Sequence, residues 1–269
     1  MTEPSGKLPI LSSLPEQRLI GVNVGFSFDQ FSEILKVRNA AGRPYLLIGG
    51  QAVNYWAERY LAAEPQLKAL RPFTSEDIDF KGTSDDVRRI AKQLTLKPSY
   101  PPKVARTVLA GAIPIRIGDK NSNIEVVRSV PGVSSAIEDL AIEAEWNGKT
   151  IRVLDPISLL ASKLELASTV SQTERNDVTH LRILVPCVRA FLDDLLKEVA
   201  RKEIPAKSWL RAANQTLKLT TDRRAKKLRD KHQFNWTEIL PLDTIAKSHD
   251  QKISRFREQQ LGRSGKGTN

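Results

Sequence analysis

Two aspartates one residue apart, inside a short apolar run, restrict most strongly what this chain can fold into. They are Asp77 and Asp79, within the run SEDIDF over residues 75–80. Side chains alternate between the two faces of a β-strand, so both carboxylates would point the same way and Ile78 and Phe80 the other way. Two carboxylates held this close repel each other unless a cation lies between them. We therefore predict a strand that carries a metal site.

A third carboxylate, Glu125, follows in a later apolar segment. Its neighbours Ile124 and Val126 would occupy one face of a strand and leave the opposite face to Glu125. Three acidic side chains on adjacent strands, facing one way, can hold two divalent cations. Two such cations clamp the entering and leaving oxygens of a phosphoryl displacement. The alternative for Glu125 is a strand carboxylate that only faces solvent.

A glycine pair, Gly49–Gly50, ends the apolar segment 45–49 and precedes a predicted helix over about 51–62. Glycines at such a turn let a phosphate approach the backbone and the N-terminus of the helix. A tight strand-to-helix turn without a ligand would use the same residues. The order of elements is more informative: a strand, the glycine pair, a helix, and then the strand with the two aspartates.

The apolar pattern divides the chain into four parts. Residues 1–26 are expected to be a flexible N-terminus and 262–269 a flexible tail. Residues 27–154 read as a mixed-sheet core, and residues 155–261 read as a helical portion. The fold class predicted from this order is therefore α/β (α+β), with the helices of the second half following the sheet.

Within the core, apolar spacing predicts a helix over 27–39 and a helix that starts at Ser84 as its N-cap. Strands are predicted over 104–109 and 113–117, joined by a turn at Gly111. Two further boundaries rest on turn and capping signals, namely an Asn-Gly hairpin at 147–148 and a helix start at 155–156.

Positive charge is concentrated in the second half of the chain. The net charge is +2 over residues 1–150 and +9 over residues 151–269, and residues 201–231 contain 11 basic and 3 acidic residues. Such an excess favours polyanions, chiefly nucleic acid. A solvated helix face has the same composition, so the sequence leaves both interpretations of the 201–231 segment open. Trp209 in this segment could stack on a base or lie in the core.

Composition disfavours a disulfide, a zinc cluster and a membrane span. The single cysteine, Cys187, is expected to be a buried thiol, and the three histidines are far apart in sequence. The first residues lack a basic start followed by an apolar core, and no run approaches the roughly 20 apolar residues of a membrane span. We expect a cytoplasmic protein.

Together these motifs resemble the signature of the nucleotidyltransferase superfamily with the polymerase-β-like fold. The residues that carry the resemblance are Gly49–Gly50, Asp77-Ile78-Asp79 and Glu125. Later motifs are similar to the AbiEii/AbiGii branch, which includes toxins of bacterial toxin–antitoxin systems: Leu154-Asp155-Pro156, Lys163-Leu164 and Arg175-Asn176-Asp177-Val178. The resemblance covers residues 44–182, about half of the chain.

The resemblance implies transfer of a nucleoside monophosphate from a nucleoside triphosphate (NTP) to an acceptor, with release of pyrophosphate. Asp77, Asp79 and Glu125 would bind two Mg²⁺ ions, and Glu125 would also help to remove the proton of the acceptor hydroxyl. Gly49 and Gly50 would seat the triphosphate through backbone N–H groups.

Two helix residues complete the implied site. Lys163 would neutralise phosphate charge, and Asp177 would orient Lys163 or contact the acceptor. The alternatives are a lysine that extends from an amphipathic helix to solvent, and a surface acid paired with Arg175 or Arg182.

The basic 201–231 segment suggests an RNA acceptor such as tRNA, with a protein acceptor as the alternative, and the resemblance to the toxin branch implies an antitoxin partner. The sequence differs from the family pattern at three places. The step from Gly50 to Asp77 is long, Gln51 replaces a small hydroxyl residue, and Asn176 replaces a lysine. The alternative function is a catalytically inert module on the same fold that binds nucleic acid or an antitoxin.

Overall fold

A computed structural model describes residues 25–173 and 175–264 of the chain. Within these residues the chain forms a six-stranded mixed sheet, eight α-helices and five short 3-10 helices. The α/β fold class predicted from the sequence is confirmed. Residues 1–24 and 265–269, which hold most of the predicted flexible ends, lie outside the described residues. Phe26, the last residue of the predicted flexible N-terminus, is described: it is buried and forms a β-bridge with Ser75.

The sheet brings together strands that are far apart in sequence. Its order is β3-β4-β2-β1-β6-β5. The strands are β1 Leu46–Ile48, β2 Ile78–Lys81, β3 Leu109–Ile117, β4 Lys120–Val127, β5 Ala141–Trp146 and β6 Lys149–Leu154. β1 runs antiparallel to β2 and parallel to β6, and β2 runs parallel to β4. The two strands with the predicted carboxylates are therefore neighbours.

Helices follow the sheet and also lie between its strands. They are α1 Gly49–Tyr60, α2 Ser84–Gln93, α3 Pro156–Thr169, α4 Asp177–Ala200, α5 Ala206–Thr221, α6 Arg223–His232, α7 Leu242–Lys247 and α8 Gln251–Ser264. The 3-10 helices are Phe28–Phe31, Ile34–Lys36, Pro65–Leu70, Ile137–Leu140 and Trp236–Ile239. No helix in the described ranges is long and apolar enough to cross a membrane.

Local capping signals fix the ends of several elements. Asp155 caps α3 by accepting hydrogen bonds from the N–H groups of Ile157 and Ser158 at 2.9 and 3.0 Å, which confirms the predicted helix start. The hairpin between β5 and β6 turns at Asn147 and Gly148, with φ of 48° and 72°.

Three local predictions are wrong. The segment 27–39 contains two 3-10 helices instead of an α-helix, because both of its ends are drawn into extended pairing, Phe26 with Ser75 and Arg38 with Pro44. The N-cap of α2 is Thr83, one residue before the predicted cap, and it shares a capping box with Asp86.

The third correction concerns β3. Residues 109–117 form one strand with an irregular register between Leu109 and Gly111, so Gly111 lies inside a strand and not in a turn, and residues 104–108 of the predicted first strand are not part of it. A Cβ at Gly111 would lie 2.9 Å from the carbonyl oxygen of Ser99 and 3.0 Å from the Tyr100 ring. Glycine is therefore needed here because a neighbouring segment lies directly against the strand, and the strand itself continues.

The helical portion packs directly on the sheet portion. α4 packs against α1, and the ring centroids of Trp56 in α1 and Phe191 in α4 lie 6.0 Å apart. Cys187 in α4 is fully buried, as predicted. Trp209 is also fully buried and donates to the carbonyl of Leu192 at 3.0 Å, so it belongs to the core and cannot stack on a base.

Candidate active site

One cavity of about 320 Å³ lies where β1 ends and α1 begins. It gathers residues from the sheet, from α3 and from the start of α4. Its walls include every residue that the sequence predicted for the site: Gly49, Gly50, Asp77, Asp79, Glu125, Lys163 and Asp177. Residues more than 100 positions apart in the chain thus face the same space.

The carboxylates come from neighbouring parallel strands. Asp79 of β2 lies directly opposite Glu125 of β4 in the strand register, so both side chains stand on the same face of the sheet. Asp77 precedes the first residue of β2, whereas the sequence placed it inside the strand. Its Oδ1 accepts a hydrogen bond from the backbone N–H of Asn123 at 2.9 Å, which attaches it to β4 two residues before Glu125.

The crowding of these acids changes their pKa values. Burial, opposed by Lys163 and reinforced by Asp77, raises the pKa of Asp79 to about 6. Burial, together with the charges of Asp79 and Asp77, raises the pKa of Glu125 to about 7. Repulsion among the three carboxylates thus contributes to these raised pKa values, and a bound cation would reduce the repulsion.

The carboxylates fit a divalent cation in chemistry but are not assembled as a ligand cluster. Hard carboxylate oxygens are the donors that Mg²⁺ prefers. Among the described residues, however, no group of three or more His, Cys, Asp or Glu side chains is arranged so that it could hold a metal ion. The donors therefore share one cavity without forming a preassembled metal site.

The glycine pair brings α1 into direct contact with Asp79. Gly49 has a φ of +68°, and a Cβ at this position would lie 2.0 Å from Oδ2 of Asp79. The backbone N–H of Gly50 opposes the rise in the pKa of Asp79 and so favours its charged form. Only glycine leaves room for this approach, so Gly49 is needed for the contact with Asp79 as well as for the turn.

A hydroxyl lies beside the glycine pair although position 51 lacks one. Gln51 is fully buried, does not line the cavity, and donates through Nε2 to the carbonyls of Phe26 and Ser75 at 3.0 and 3.2 Å. Ser75 lines the cavity, and its Oγ lies 2.3 Å from where a Cβ of Gly50 would stand. This contact joins segments that are far apart in the chain, so the sequence did not indicate it.

Two cations converge on one buried acid on the helical side of the cavity. Lys163 Nζ lies 2.9 Å from Oδ1 of Asp177, and Arg175 Nε lies 2.6 Å from Oδ2. Burial alone would raise the pKa of Asp177, but Lys163 and Arg175 together lower it to about 2. Lys163 is 6% and Asp177 2% exposed, so neither the solvent-extended lysine nor the surface acid describes them.

His180 also lines the cavity, although no sequence motif pointed to it. It is 6% exposed, and its Nδ1 is buried without a hydrogen-bond partner in the structure. Burial, together with the nearby charge of Lys163, lowers its pKa to about 3, so the ring is neutral at pH 7. The available signal was its spacing, because a residue three positions after Asp177 lies on the same face of a helix.

Comparisons with known proteins give only distant similarities. No protein-family model and no curated protein matches the chain. An antigenic nucleotidyltransferase-like protein from Paracoccidioides brasiliensis is 16% identical, with a TM-score of 0.41, over 70% of this chain and 95% of that one. Megavirus polyadenylate synthase is 12% identical, with a TM-score of 0.37, over 59% of this chain and 30% of that one.

A third solved structure, JHP933 from Helicobacter pylori, is 14% identical, with a TM-score of 0.34, over 89% of this chain and 95% of that one. Similarities at this level do not assign a family or an activity. The function of the cavity must therefore be inferred from its own geometry and charge.

Proposed function

We propose that this protein is a metal-dependent nucleotidyltransferase that moves a nucleoside monophosphate from an NTP to an acceptor hydroxyl and releases pyrophosphate. One observation carries the proposal: Asp79 and Glu125 lie side by side, and the same cavity contains the glycine pair and Lys163. A carboxylate pair beside the N-terminus of a helix and a buried ammonium is an arrangement suited to phosphoryl transfer.

The charge of the cavity supports a requirement for metal. Among the described residues, its walls contain five carboxylates, from Glu76, Asp77, Asp79, Glu125 and Asp177, but only two cationic side chains, Lys163 and Arg175. Such a surface repels a free triphosphate, so the nucleotide is expected to bind together with divalent cations. When bound, Mg²⁺ would be held by these carboxylates and would neutralise the charge of the triphosphate.

We assign the metal-holding role to Asp77, Asp79 and Glu125. Asp79 lies directly against Gly49, and Asp77 accepts a hydrogen bond from the N–H of Asn123. Glu125 would in addition help to take the proton of the acceptor hydroxyl.

Lys163 is proposed to bind phosphate, and Asp177 to hold Lys163 in position. An ammonium group has three N–H donors, and Asp177 accepts from Lys163 at 2.9 Å. The remaining donors are available for phosphate oxygens. Arg175, whose side chain is 40% exposed and also bonded to Asp177, adds a second cation at the same edge. Gly49 and Gly50 would border the phosphates from the opposite side.

Label transfer from NTPs tests this proposal. The purified protein is incubated with Mg²⁺, each α-³²P-labelled NTP in turn, and total cellular RNA or protein. Label should appear on a defined acceptor with at least one NTP and disappear when EDTA is added. Asp79→Asn and Glu125→Gln should each reduce transfer by roughly 100-fold or more, because each removes a charged ligand.

Asp119→Asn serves as the matched control, because it also neutralises one carboxylate but lies on an exposed turn outside the cavity. Its transfer rate should match that of the unmutated protein. A folded, unmutated protein that labels nothing with any NTP would contradict the enzyme and favour the inert binding module.

The role of a toxin with a cognate antitoxin rests on the motif resemblance alone. Under this part of the proposal, induced expression should arrest bacterial growth, and Asp79→Asn should relieve the arrest. Growth arrest that persists in Asp79→Asn would separate toxicity from nucleotide transfer.

A further inference from the structure

An exposed segment over residues 96–108 carries most of the exposed large hydrophobic side chains. The described parts of the chain contain six such side chains, of which four belong to this segment: Leu96, Tyr100, Val104 and Val108. Val104 is 91% and Tyr100 43% exposed. Single exposed apolar residues are common, but four within one short segment mark a candidate contact surface.

The 96–108 segment is also positively charged. Lys97, Lys103 and Arg106 are exposed, and the segment contains no acidic residue. Within the described residues none of these three cations takes part in an ion pair, although many surface cations elsewhere do. Cations without carboxylate partners remain available for a polyanion.

Backbone contacts hold this segment in a defined shape. Ser99 exchanges two hydrogen bonds with Ala112 of β3, at 2.7 and 2.9 Å, so the segment is attached to the edge of the sheet. The Tyr100 ring lies against the backbone at Gly111. Its orientation is thereby restricted while much of the ring stays exposed, so little entropy would be lost when a ligand stacks on it.

The segment leads into the candidate active site. Val108 is one of the residues that line the cavity, and its carbonyl accepts from the N–H of Arg128 at 2.8 Å at the end of β4. A chain molecule lying along the segment could therefore extend into the cavity that holds Asp79 and Glu125.

We propose that the 96–108 segment is the docking surface for a single-stranded polynucleotide whose end enters the cavity. Tyr100 stacks on a base, and Lys97, Lys103 and Arg106 contact phosphates. The position of the polynucleotide end rests on the proposed function, whereas the docking itself does not. Free cations together with one restrained, exposed aromatic ring fit a polynucleotide better than an acidic protein surface, which would need no ring to stack on.

The basic 201–231 segment has charge but lacks this second feature. Trp209 is its only aromatic residue and is fully buried. Three of its arginines, Arg201, Arg224 and Arg229, are engaged in ion pairs. The structure therefore favours the 96–108 segment over 201–231 as the place where bases stack.

Fluorescence anisotropy with a short labelled single-stranded RNA, and with DNA of the same sequence, tests the docking surface. Replacing Lys97, Lys103 and Arg106 together by Ala should reduce affinity. The fall of log K, the binding constant, with log salt concentration should also become less steep by about 2, since each phosphate contact contributes about 0.7 to the slope. Tyr100→Leu keeps the packing on Gly111 but removes the ring, and should weaken binding about tenfold.

The matched control replaces Arg223, Lys226 and Lys227 on α6 by Ala, which removes the same charge from exposed positions. This variant should bind with an unchanged salt slope. The docking proposal is overturned if the unmutated protein binds neither oligonucleotide, if the α6 variant alone loses binding, or if Tyr100→Leu binds as well as the unmutated protein.

Binding of Mg²⁺ and NTP, followed by calorimetry, separates the two proposals. Variants of the 96–108 segment should keep nucleotide binding, because no replaced residue lines the cavity. Oligonucleotide binding without nucleotide binding would refute the proposed function and leave the docking surface intact.

Discussion

Removing Asp177 should destabilise the protein strongly, because it would leave Lys163 buried without a counter-charge. The side chains of Lys163 and Asp177 are 7% and 2% exposed, and their charged atoms are 2.9 Å apart. Breaking a buried pair by removing one partner costs about 3–5 kcal/mol. Arg175 is 40% exposed and can turn towards solvent, so its lost contact adds little. We expect Asp177→Leu to lower the free energy of unfolding by about 3–5 kcal/mol.

Removing both charges should restore most of this loss. A buried ion pair replaced by apolar groups of similar size is often neutral or even stabilising, because the desolvation of both charges is avoided. The double variant Lys163→Met/Asp177→Leu should therefore lie within about 1–2 kcal/mol of the unmutated protein. The coupling energy between the two positions should exceed about 2 kcal/mol, which is large for a single pair.

Urea denaturation of the two single variants and the double variant gives the coupling energy. The exposed pair of Arg88 and Asp85 provides a control, and Asp85→Asn should change the free energy of unfolding by less than about 1 kcal/mol. A loss below about 1 kcal/mol for Asp177→Leu would refute the reasoning, as would additive effects in the double variant. Nucleotide transfer should stay absent in the double variant although its stability returns, which separates the two roles of Lys163.

Two other residues that line the cavity, His180 and Gly49, allow further predictions. The pKa of His180 is about 3 in the folded protein against an ordinary value of 6.5, so below pH 6.5 only the unfolded chain gains this proton. Stability should fall by roughly 2 kcal/mol between pH 7 and 5 through this residue, measured as the difference between the unmutated protein and His180→Gln in urea, and equal pH dependence in both would contradict it. The raised pKa values of Asp79 and Glu125 act in the opposite direction but are present in both proteins, so they cancel in this difference. Gly49→Ala should abolish nucleotide transfer by displacing Asp79, whereas Gly118→Ala, also at positive φ but with open space around it, should cost only the backbone strain of about 1–2 kcal/mol and keep transfer. Full transfer by Gly49→Ala would show that the contact with Asp79 is not needed.

Elements with local signals were predictable from the sequence. The start of α3 depends on Asp155 and Pro156, and the β5–β6 hairpin on Asn147 and Gly148, so a few adjacent residues contain all the necessary information. The α/β order could also be read from where strand patterns give way to helical ones.

Elements that depend on distant partners were not predictable. The helical spacing over 27–39 is real, but pairing of Phe26 with Ser75 and of Arg38 with Pro44 overrides it. Gly111 resembles a turn residue in the sequence, and only the contact with Ser99 shows why glycine stands inside a strand. In the site, the predicted carboxylates, glycines and lysine could be recognised by residue type and order. The unpartnered Nδ1 of His180 and the hydroxyl of Ser75 beside Gly50 depend on how distant segments pack, so the sequence did not indicate them.

The long step from Gly50 to Asp77 has a structural explanation. It contains α1 and the 3-10 helix Pro65–Leu70, which packs against α4 and buries Leu67 completely. Just before this 3-10 helix, Glu64 forms an ion pair with Arg189 of α4. The first residues of α4 include Asp177 and His180, so the segment between Gly50 and Asp77 helps to position this wall of the cavity relative to the sheet. Because Asp79 and Glu125 lie on the sheet and Lys163 lies on α3 in the second half of the chain, the mixed-sheet portion alone would lack the ammonium group that we propose binds phosphate. The two halves of the chain must therefore pack together before the site is complete.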